Sequence, residues 1–214
     1  DFGLEASPEI LDPETGISYE VGARTALYDR RLELELEVFS MDLNGIVVAE
    51  DAGGVPGLQN GGDQRLRGIE LEARGRIVDG LWARFAWSFH DATFLDFVQD
   101  FGGVPTQLEG NRIEMSARNM GALGAIWAPK SGFTAHGEIR STGSRYLNKR
   151  NTALADGFTS YSAGIGWRVK RWEARLDGEN LGDRRDPVAE AELADAQYCR
   201  LPARQVWVSF NWLF

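Results

Sequence analysis

The sequence predicts an all-β fold built from about nine antiparallel strands. Apolar and polar residues alternate with a period of two along most of the chain, helical periodicity is scarce, and the chain contains 25 glycines. The alternation is clearest in the final stretch, where one side of a strand carries Val206, Val208, Phe210, Trp212 and Phe214. A strand with this pattern needs an apolar environment on one face and a polar environment on the other.

The predicted strands are longer than most strands of globular proteins. Most exceed the usual ~5–6 residues and suit the ~9–11 residues that cross a bilayer obliquely. In chain order they are Ile17–Tyr28, Leu32–Val48, Arg65–Ile77, Leu81–Phe97, Met120–Ala128, Phe133–Tyr146, Phe158–Val169, Trp172–Leu181 and Gln205–Phe214.

The predicted connections alternate between short and long. Short turns at Asp29–Arg31, Val78–Gly80, Pro129–Gly132 and Lys170–Arg171 interleave with long loops at Ala49–Gln64, Val98–Asn119, Asn148–Gly157 and Gly182–Arg204. Short turns on one rim and long loops on the other are typical of outer-membrane barrels, in which the short turns lie in the periplasm and the long loops are extracellular.

Most of the predicted strands have an apolar and a polar row. The apolar row includes Leu32, Leu34, Leu36 and Val38 of the second strand, and Ala83, Phe85, Trp87 and Phe89 of the fourth. The charged side chains that we predict to face the barrel lumen are Arg24, Glu33, Glu35, Glu37, Glu70, Glu72, Arg74 and Arg84. In the second strand the apolar residues change to the other row after Val38, where Phe39, Met41 and Leu43 follow. This change indicates a bulge or the point where the strand leaves the membrane.

Tryptophan placement favours the membrane barrel over a soluble β-sandwich, which also alternates. The side chains predicted to lie at one height, close to a short turn or to the C-terminus, are Trp82, Trp127, Trp167, Trp172 and Trp212. A ring of tryptophans at the bilayer edge is the aromatic girdle of such a barrel. The sandwich, as a secreted binding module for carbohydrate or lipid, remains the alternative.

Composition excludes some classes of protein. No run of eighteen apolar residues occurs, which excludes a membrane-spanning helix, and the net charge of -9 argues against nucleic-acid binding. The single Cys199 matches no disulfide, zinc or thiol-redox spacing. No signal peptide follows Asp1, so either the protein is cytoplasmic or its beginning is missing.

An odd number of strands conflicts with the even number of bacterial single-chain barrels. If the last strand descends to the periplasm, so does the first, and residues 1–16 then lie in an extracellular loop. We therefore expect residues 1–214 to form the C-terminal segment of a larger barrel.

Five stretches together carry a family resemblance. They are "LDPETGISYEVGAR" (Leu11–Arg24), "NGGDQRLRGIELEAR" (Asn60–Arg74), "ENLGDRRD" (Glu179–Asp186), "RLPAR" (Arg200–Arg204) and the terminal Phe214. In this order and spacing they resemble the C-terminal part of the β-barrel domain of TonB-dependent outer-membrane receptors. The resemblance implies a barrel of about 22 strands with a plugged lumen, and an N-terminal plug domain, TonB box and first barrel strands that lie outside this chain.

The resemblance also implies a function and partners. The family imports scarce ligands, most often ferric siderophores and otherwise cobalamin or glycans, with energy supplied by TonB–ExbB–ExbD through the plug. Its surroundings are outer-membrane lipid and lipopolysaccharide. The barrel-assembly machinery recognises a C-terminal signal, which here would be Phe210, Trp212 and Phe214.

The chemical motifs give one weak candidate site. Arg145, Tyr146, Lys149 and Arg150 form a basic and aromatic cluster suited to an anionic chelate, although an ordinary solvated or lipopolysaccharide-facing loop explains each of them too. We expect no metal site, because His90 and His136 lie on different strands near opposite rims. We expect no catalysis and no cofactor, since the acidic row suggests no enclosed pocket, and an outer-membrane enzyme is therefore disfavoured.

Overall fold

The computed structural model describes residues 11–51, 56–190 and 198–212, with the side chains of residues 48–51, 56–59 and 189–190 left aside. Within these ranges the chain forms seventeen strands. In chain order they are β1 (Thr15–Leu27), β2 (Leu32–Asn44), β3 (Val47–Asp51), β4 (Pro56–Asn60), β5 (Asp63–Val78), β6 (Leu81–Asp96), β7 (Val98–Asp100), β8 (Pro105–Gln107), β9 (Asn119–Trp127), β10 (Phe133–Thr142), β11 (Arg145–Tyr146), β12 (Leu154–Ala155), β13 (Phe158–Val169), β14 (Trp172–Glu179), β15 (Pro187–Glu190), β16 (Tyr198–Arg200) and β17 (Gln205–Trp212).

Nine of these strands form one antiparallel sheet in the order β1-β2-β5-β6-β9-β10-β13-β14-β17. The prediction of an all-β up-and-down sheet of nine strands is therefore confirmed. Strands β1 and β17 are its two edges. No helix in the described ranges has the length and hydropathy needed to cross a membrane.

Two predicted strands end four residues earlier than the alternation suggested. The strand predicted as Leu32–Val48 ends at Asn44, because Gly45 takes a φ of 65° and the chain resumes as β3. The strand predicted as Phe133–Tyr146 likewise ends at Thr142, before the short strand β11.

Short and long connections lie on opposite rims, because every strand of the sheet is antiparallel to its neighbours. The short turns follow β1, β5, β9 and β13, and one of them depends on glycine: a Cβ at Gly132, with its φ of 85°, would lie 2.3 Å from the carbonyl oxygen of Arg168. The four long loops each contain a two-stranded hairpin: β3–β4, β7–β8, β11–β12 and β15–β16.

The strand register aligns the predicted rows into two continuous faces. Ala23, Leu36, Leu71 and Trp87 are successive partners across four strands; we call their side the outer face. Arg24, Glu35 and Glu72 are successive partners on the other side, the inner face. Outer-face side chains are highly exposed, for example Val21 at 77% and Val208 at 76%.

An exposed apolar face of this extent requires a lipid or protein cover. Among the residues that the structure describes, no second sheet packs against it, as a β-sandwich would require. The small buried core, made of Phe94, Phe97 and Leu108, lies instead at the long-loop rim. The sandwich alternative is not supported.

The register corrects one member of the predicted girdle. Trp127, Trp167, Trp172 and Trp212 lie on the outer face near the short-turn rim, and Trp172 is the direct partner of Trp212. Trp82 pairs with Arg76 and Ile126, and therefore lies on the inner face. It shares the height of the girdle but points to the opposite side of the sheet.

The phase slip in β2 is not a bulge. The pairing of β2 with β1 and β5 continues without a register shift from Leu32 to Leu43. Beyond Val38 the outer face receives Ser40 and Asp42, while Phe39 turns to the inner face and stacks edge-on against His90. Of the two interpretations, the end of the apolar band is the one that agrees with this register.

Candidate functional site

The charged row of the inner face forms a network across β1, β2, β5 and β6. Glu33 accepts hydrogen bonds from Arg74, at 2.8 Å from Nε, and from Arg24, at 3.4 Å from Nη2. Arg84 Nη2 lies 3.5 Å from Glu72 Oε2. These side chains face water rather than a packed interior, so each pair contributes little to folding by itself.

Closer to the long-loop rim, acidic residues of the inner face lie directly opposite one another. Glu35 is the direct partner of Glu72, and Glu37 is the direct partner of Glu70. Directly opposed carboxylates repel each other. His90 lies beside the second of these pairs, with its Nε2 2.9 Å from Glu70 Oε1. The carboxylates form one wall of a concavity of about 530 Å³, whose other side includes Arg140.

The two histidines are separated, as the sequence predicts. His90 of β6 contacts Glu70 of β5. His136 of β10 lies further along the sheet, where its Nε2 is 3.7 Å from Asp177 Oδ1 of β14. Within the described part of the chain, no group of three or more His, Cys, Asp or Glu side chains is arranged to hold a metal ion.

The predicted ligand cluster lies on strand β11 and in the turn of hairpin β11–β12, at the long-loop rim. Asn148 shapes the hairpin turn: its Oδ1 accepts hydrogen bonds from Thr152 N and Ala153 N, and its Nδ2 donates to Thr152 Oγ1. Asn148 is only 4% exposed. This turn places Lys149 and Arg150 at the tip of the hairpin.

Arg145 is one of the four predicted ligand residues, but its side chain is buried. Arg145 is only 2% exposed, its Nη2 donates to the carbonyl oxygen of Pro187, and its guanidinium lies 5.1 Å from the Phe158 ring centroid. Burial lowers the pKa of Arg145, and nearby Asp186 opposes this shift. Arg145 joins hairpin β11–β12 to the loop that carries β15, so we withdraw it from the proposed ligand contacts.

The loop between β6 and β9 packs against the same hairpin. Asn111 Nδ2 donates to Lys149 O at 3.0 Å, and Met115 N donates to Tyr146 O at 2.8 Å. Tyr146 also lies under the guanidinium of Arg112, 5.6 Å from the ring centroid. Tyr146 is therefore part of the contact between the two loops.

Two cations of the cluster stack on aromatic rings of the neighbouring loop. Arg150 is exposed and its guanidinium lies 4.6 Å from the Phe101 ring centroid. Lys149 Nζ lies 5.9 Å from the Phe97 ring centroid and 3.9 Å from Glu114 Oε1. Phe97 belongs to the buried cluster with Phe94 and Leu108. Arg150 and Phe101 thus form a composite surface from two loops, which the sequence did not indicate.

The stretch "ENLGDRRD" closes the last long loop. Asn180, with a φ of 47°, donates from Nδ2 to the carbonyl oxygens of Arg184 and Pro202, both at 2.7 Å. Arg184 forms two hydrogen bonds to the Asp186 carboxylate, at 2.8 and 2.7 Å. The stretch therefore joins both arms of this loop, beside a concavity of about 190 Å³.

The C-terminal strand places the predicted assembly residues on the outer face. Phe210 is the partner of Ala174, and Trp212 is the partner of Trp172. Phe214, the third of these residues, lies outside the described residues.

A sheet with a continuous apolar outer face, a polar inner face and an outward aromatic girdle defines a segment of a transmembrane β-barrel. The family model described as "TonB dependent receptor-like, beta-barrel" matches residues 2–181. The chain therefore belongs to the TonB-dependent receptor family, whose β-barrels reside in the outer membrane.

Relatives and solved structures agree with this membership. The ferrioxamine receptor of Yersinia enterocolitica is 25% identical over 205 residues, which is 91% of this chain and 27% of that protein. The siderophore receptor PiuA of Acinetobacter baumannii superposes with a TM-score of 0.78 at 20% identity, over 95% of this chain and 29% of that one. The ferric yersiniabactin uptake receptor FyuA of Yersinia pestis gives a TM-score of 0.74 at 18% identity, over 93% and 30%.

The chain spans only part of each relative. Its share of the curated relatives' own length is 20% for the metal-pseudopaline receptor of Pseudomonas aeruginosa and 27% for the ferrioxamine receptor. The fold and the family membership are therefore established for this segment. The activity of the whole receptor is treated below as a proposal.

Proposed function

We propose that the chain is the C-terminal segment of an outer-membrane receptor that imports a ferric siderophore. The observation that carries the proposal is the family match over residues 2–181, together with relatives whose names specify ferrioxamine, yersiniabactin and other siderophores. The family is one of receptors and transporters, so we propose no catalytic role and no cofactor. Ferric siderophore is preferred over cobalamin or a glycan because the named relatives are siderophore receptors.

The proposed receptor has parts that contact this segment. A plug domain would lie against the inner face, where its contacts would include Arg24, Glu33, Glu35, Glu37, Glu70, Glu72, Arg74 and Arg84. TonB–ExbB–ExbD would act through that plug, and the first barrel strands would pair with the edges β1 and β17. The long loops would be extracellular, where Lys149, Arg150 and Phe101 would meet the ligand.

The proposal is tested in a strain that lacks the full-length gene. Under iron limitation this strain should lose growth on one ferric siderophore of a panel and lose uptake of the same radiolabelled iron chelate. The plasmid-borne gene should restore both, and a strain without TonB should behave like the deletion. Unchanged uptake of every iron chelate, with loss of cobalamin or oligosaccharide uptake instead, would assign the protein to another branch of the family.

The segment assignment has its own test. Expressed alone, residues 1–214 should not form a heat-resistant, protease-protected barrel in detergent, because the edge strands β1 and β17 would lack partners. A stable nine-stranded monomer would contradict it.

The proposed assembly signal is tested in the full-length protein. Deleting Phe214 should reduce the outer-membrane level, through loss of recognition by the barrel-assembly machinery, far more than Leu213→Ala. Equal effects would argue against a C-terminal signal.

A further inference from the structure

The sequence contains two Asn-Gly pairs, Asn44-Gly45 and Asn60-Gly61. An asparagine before a glycine is chemically labile, because the glycine amide nitrogen can attack the side-chain amide carbon of the asparagine, and no Cβ hinders its approach. Both asparagines end a strand at the long-loop rim, Asn44 in β2 and Asn60 in β4. The surrounding structure holds the two side chains in different ways.

The amide of Asn60 is fully hydrogen-bonded. Its Nδ2 donates to Asp12 O at 2.9 Å and to Gly45 O at 2.7 Å, and its Oδ1 accepts a hydrogen bond from Asp12 N at 2.9 Å. The following amide, Gly61 N, donates to the carbonyl oxygen of Ile46. Hydrogen bonds therefore hold the leaving nitrogen, the side-chain carbonyl and the attacking nitrogen at this site.

The amide of Asn44 lacks most of these restraints. Asn44 is exposed, and within the described ranges of the chain its side chain has no hydrogen-bond partner. The attacking nitrogen, Gly45 N, lies 3.3 Å from Asp63 Oδ1, which is longer than the usual ~2.7–3.2 Å of an N–H···O bond. The Asn44 side chain is therefore free to rotate toward a nitrogen that is only weakly held.

We propose that Asn44 is a site of spontaneous deamidation in the folded protein. Gly45 N gives its proton to solvent and forms a bond to Asn44 Cγ, while the Cγ–Nδ2 bond breaks and the leaving nitrogen takes up a proton and departs as ammonia. Water then opens the resulting succinimide ring at either carbonyl, which leaves aspartate or isoaspartate at this position. The reaction requires water alone, and the proposal does not depend on the imported ligand.

Isoaspartate at this position would disturb a contact between two segments of the chain. Its main chain contains an additional carbon atom, so Gly45 must shift relative to β2. The carbonyl oxygen of Gly45 accepts a hydrogen bond from Asn60, whose amide also binds Asp12 in the segment that leads into β1. We therefore expect modification of Asn44 to loosen the contact between Asn60 and Asp12 as the protein ages.

The first test ages the purified full-length receptor in mild detergent at slightly alkaline pH and maps its peptides by mass spectrometry. Asn44 should convert several-fold faster than Asn60, and fragmentation should show both aspartate and isoaspartate. In urea, where the fold no longer distinguishes the two sites, they should convert at similar rates. No conversion at Asn44, equal conversion of the two sites in the folded receptor, or a ratio unchanged by urea would each overturn the proposal.

The second test measures hydrogen exchange at the amide of Asp12, which donates to Asn60 Oδ1. Exchange should become several-fold faster with age in the wild type and stay constant in Asn44→Gln. Freshly purified Asn44→Asp adds the charge without lengthening the main chain, so it should exchange like the unaged wild type. Heat-modifiable migration on gels verifies that each variant is folded. Equal exchange in aged wild type and aged Asn44→Gln would contradict the expected loosening.

Discussion

Arg112 and Asn151 exchange two hydrogen bonds between loops that are 39 residues apart: Arg112 N donates to Asn151 Oδ1, and Asn151 Nδ2 donates to Arg112 O, both at 2.8 Å. Asn151 also has a φ of 56°, a conformation that asparagine tolerates better than most residues. This one side chain therefore fixes the hairpin turn and joins it to the loop that follows β6.

Removing the Asn151 side chain should loosen both loops together. Asn151→Gly keeps the positive φ accessible and loses two inter-loop bonds, so local opening should become easier by about 2 kcal/mol at ~1 kcal/mol for each bond. Asn151→Ala should cost more, because alanine is strained at this φ. Hydrogen exchange at the amides of Arg112 and Met115 measures the opening. Asp156→Ala, at an exposed loop position, should leave both amides protected.

Much of the fold could be predicted from the sequence. The strands and their two faces follow from alternation, and the turns follow from the interruptions in it. The face of Trp82 could also be predicted from the sequence. Ala83 belongs to the apolar row, so Trp82, the residue before it, must lie on the opposite face of the strand. Proximity to a turn indicates only height along the strand.

The loop contacts could not be predicted in the same way. Burial of Arg145 depends on the carbonyl of Pro187, 42 residues away in sequence. The inter-loop role of Asn151 likewise depends on distant backbone groups. The two-residue period of a strand predicts which face each of its residues occupies. Loops have no such period, so the local sequence does not indicate which residues a loop side chain packs against.

Tryptophan environments test the two faces of the sheet. In single-tryptophan variants of the full-length protein reconstituted in lipid, Trp127 and Trp167 should be quenched by quenchers carried on lipids near the headgroups. Trp82, on the inner face, should be quenched by water-soluble acrylamide and not by those lipids. Lipid quenching of Trp82 equal to that of Trp127 would contradict the assignment of the faces.

Labelling of Cys199 tests the orientation. Cys199 is an exposed free cysteine on β16, within the last long loop. We expect an impermeant thiol reagent to label it on intact cells, since the long loops are proposed to be extracellular. In a Cys199→Ser background, Val104→Cys should also be labelled, whereas Lys130→Cys, in a short turn, should be labelled only after the cells are broken. The opposite pattern would reverse the orientation.

The Arg184–Asp186 pair predicts acid sensitivity of the last long loop. The hydrogen bonds from Arg184 hold the pKa of Asp186 below its ordinary value of about 3.8, and Arg145 adds to this effect. A lowered folded-state pKa means that the pair stabilises the loop above the unfolded pKa, and that this contribution is lost as the pH falls through the folded pKa.

Protection of the Leu201 amide, which donates to Asp186 O at 2.9 Å, reports on this loop. Protection should fall at acidic pH in the wild type, whereas Asp186→Asn should be less protected near neutral pH and less sensitive to acid. Asp156→Asn, an exposed carboxylate in another loop, is the control. An equal acid response in wild type and Asp186→Asn would show that another group is responsible.

Arg150 is the cation of the proposed ligand cluster that remains exposed, and it stacks on Phe101 from the neighbouring loop. If both contact an anionic ferric siderophore, Arg150→Gln should weaken its capture about tenfold or more, since a charge-assisted hydrogen bond contributes ~1.5–3 kcal/mol. Phe101→Leu should weaken capture less, through loss of the stacked face. Titration of the purified full-length receptor with the siderophore identified by growth measures both effects.

Comparison of Arg145→Gln with Arg150→Gln distinguishes the loss of a ligand contact from the loss of loop structure. Because Arg145 is buried against Pro187 and Phe158, its substitution should expose the amides of hairpin β11–β12 to exchange as well as weaken capture. Arg150→Gln should weaken capture with the hairpin amides still protected. Unchanged affinity in Arg150→Gln and Phe101→Leu would move the ligand contacts away from this pair of loops, while the growth phenotype of the deletion strain would still report on the import function itself.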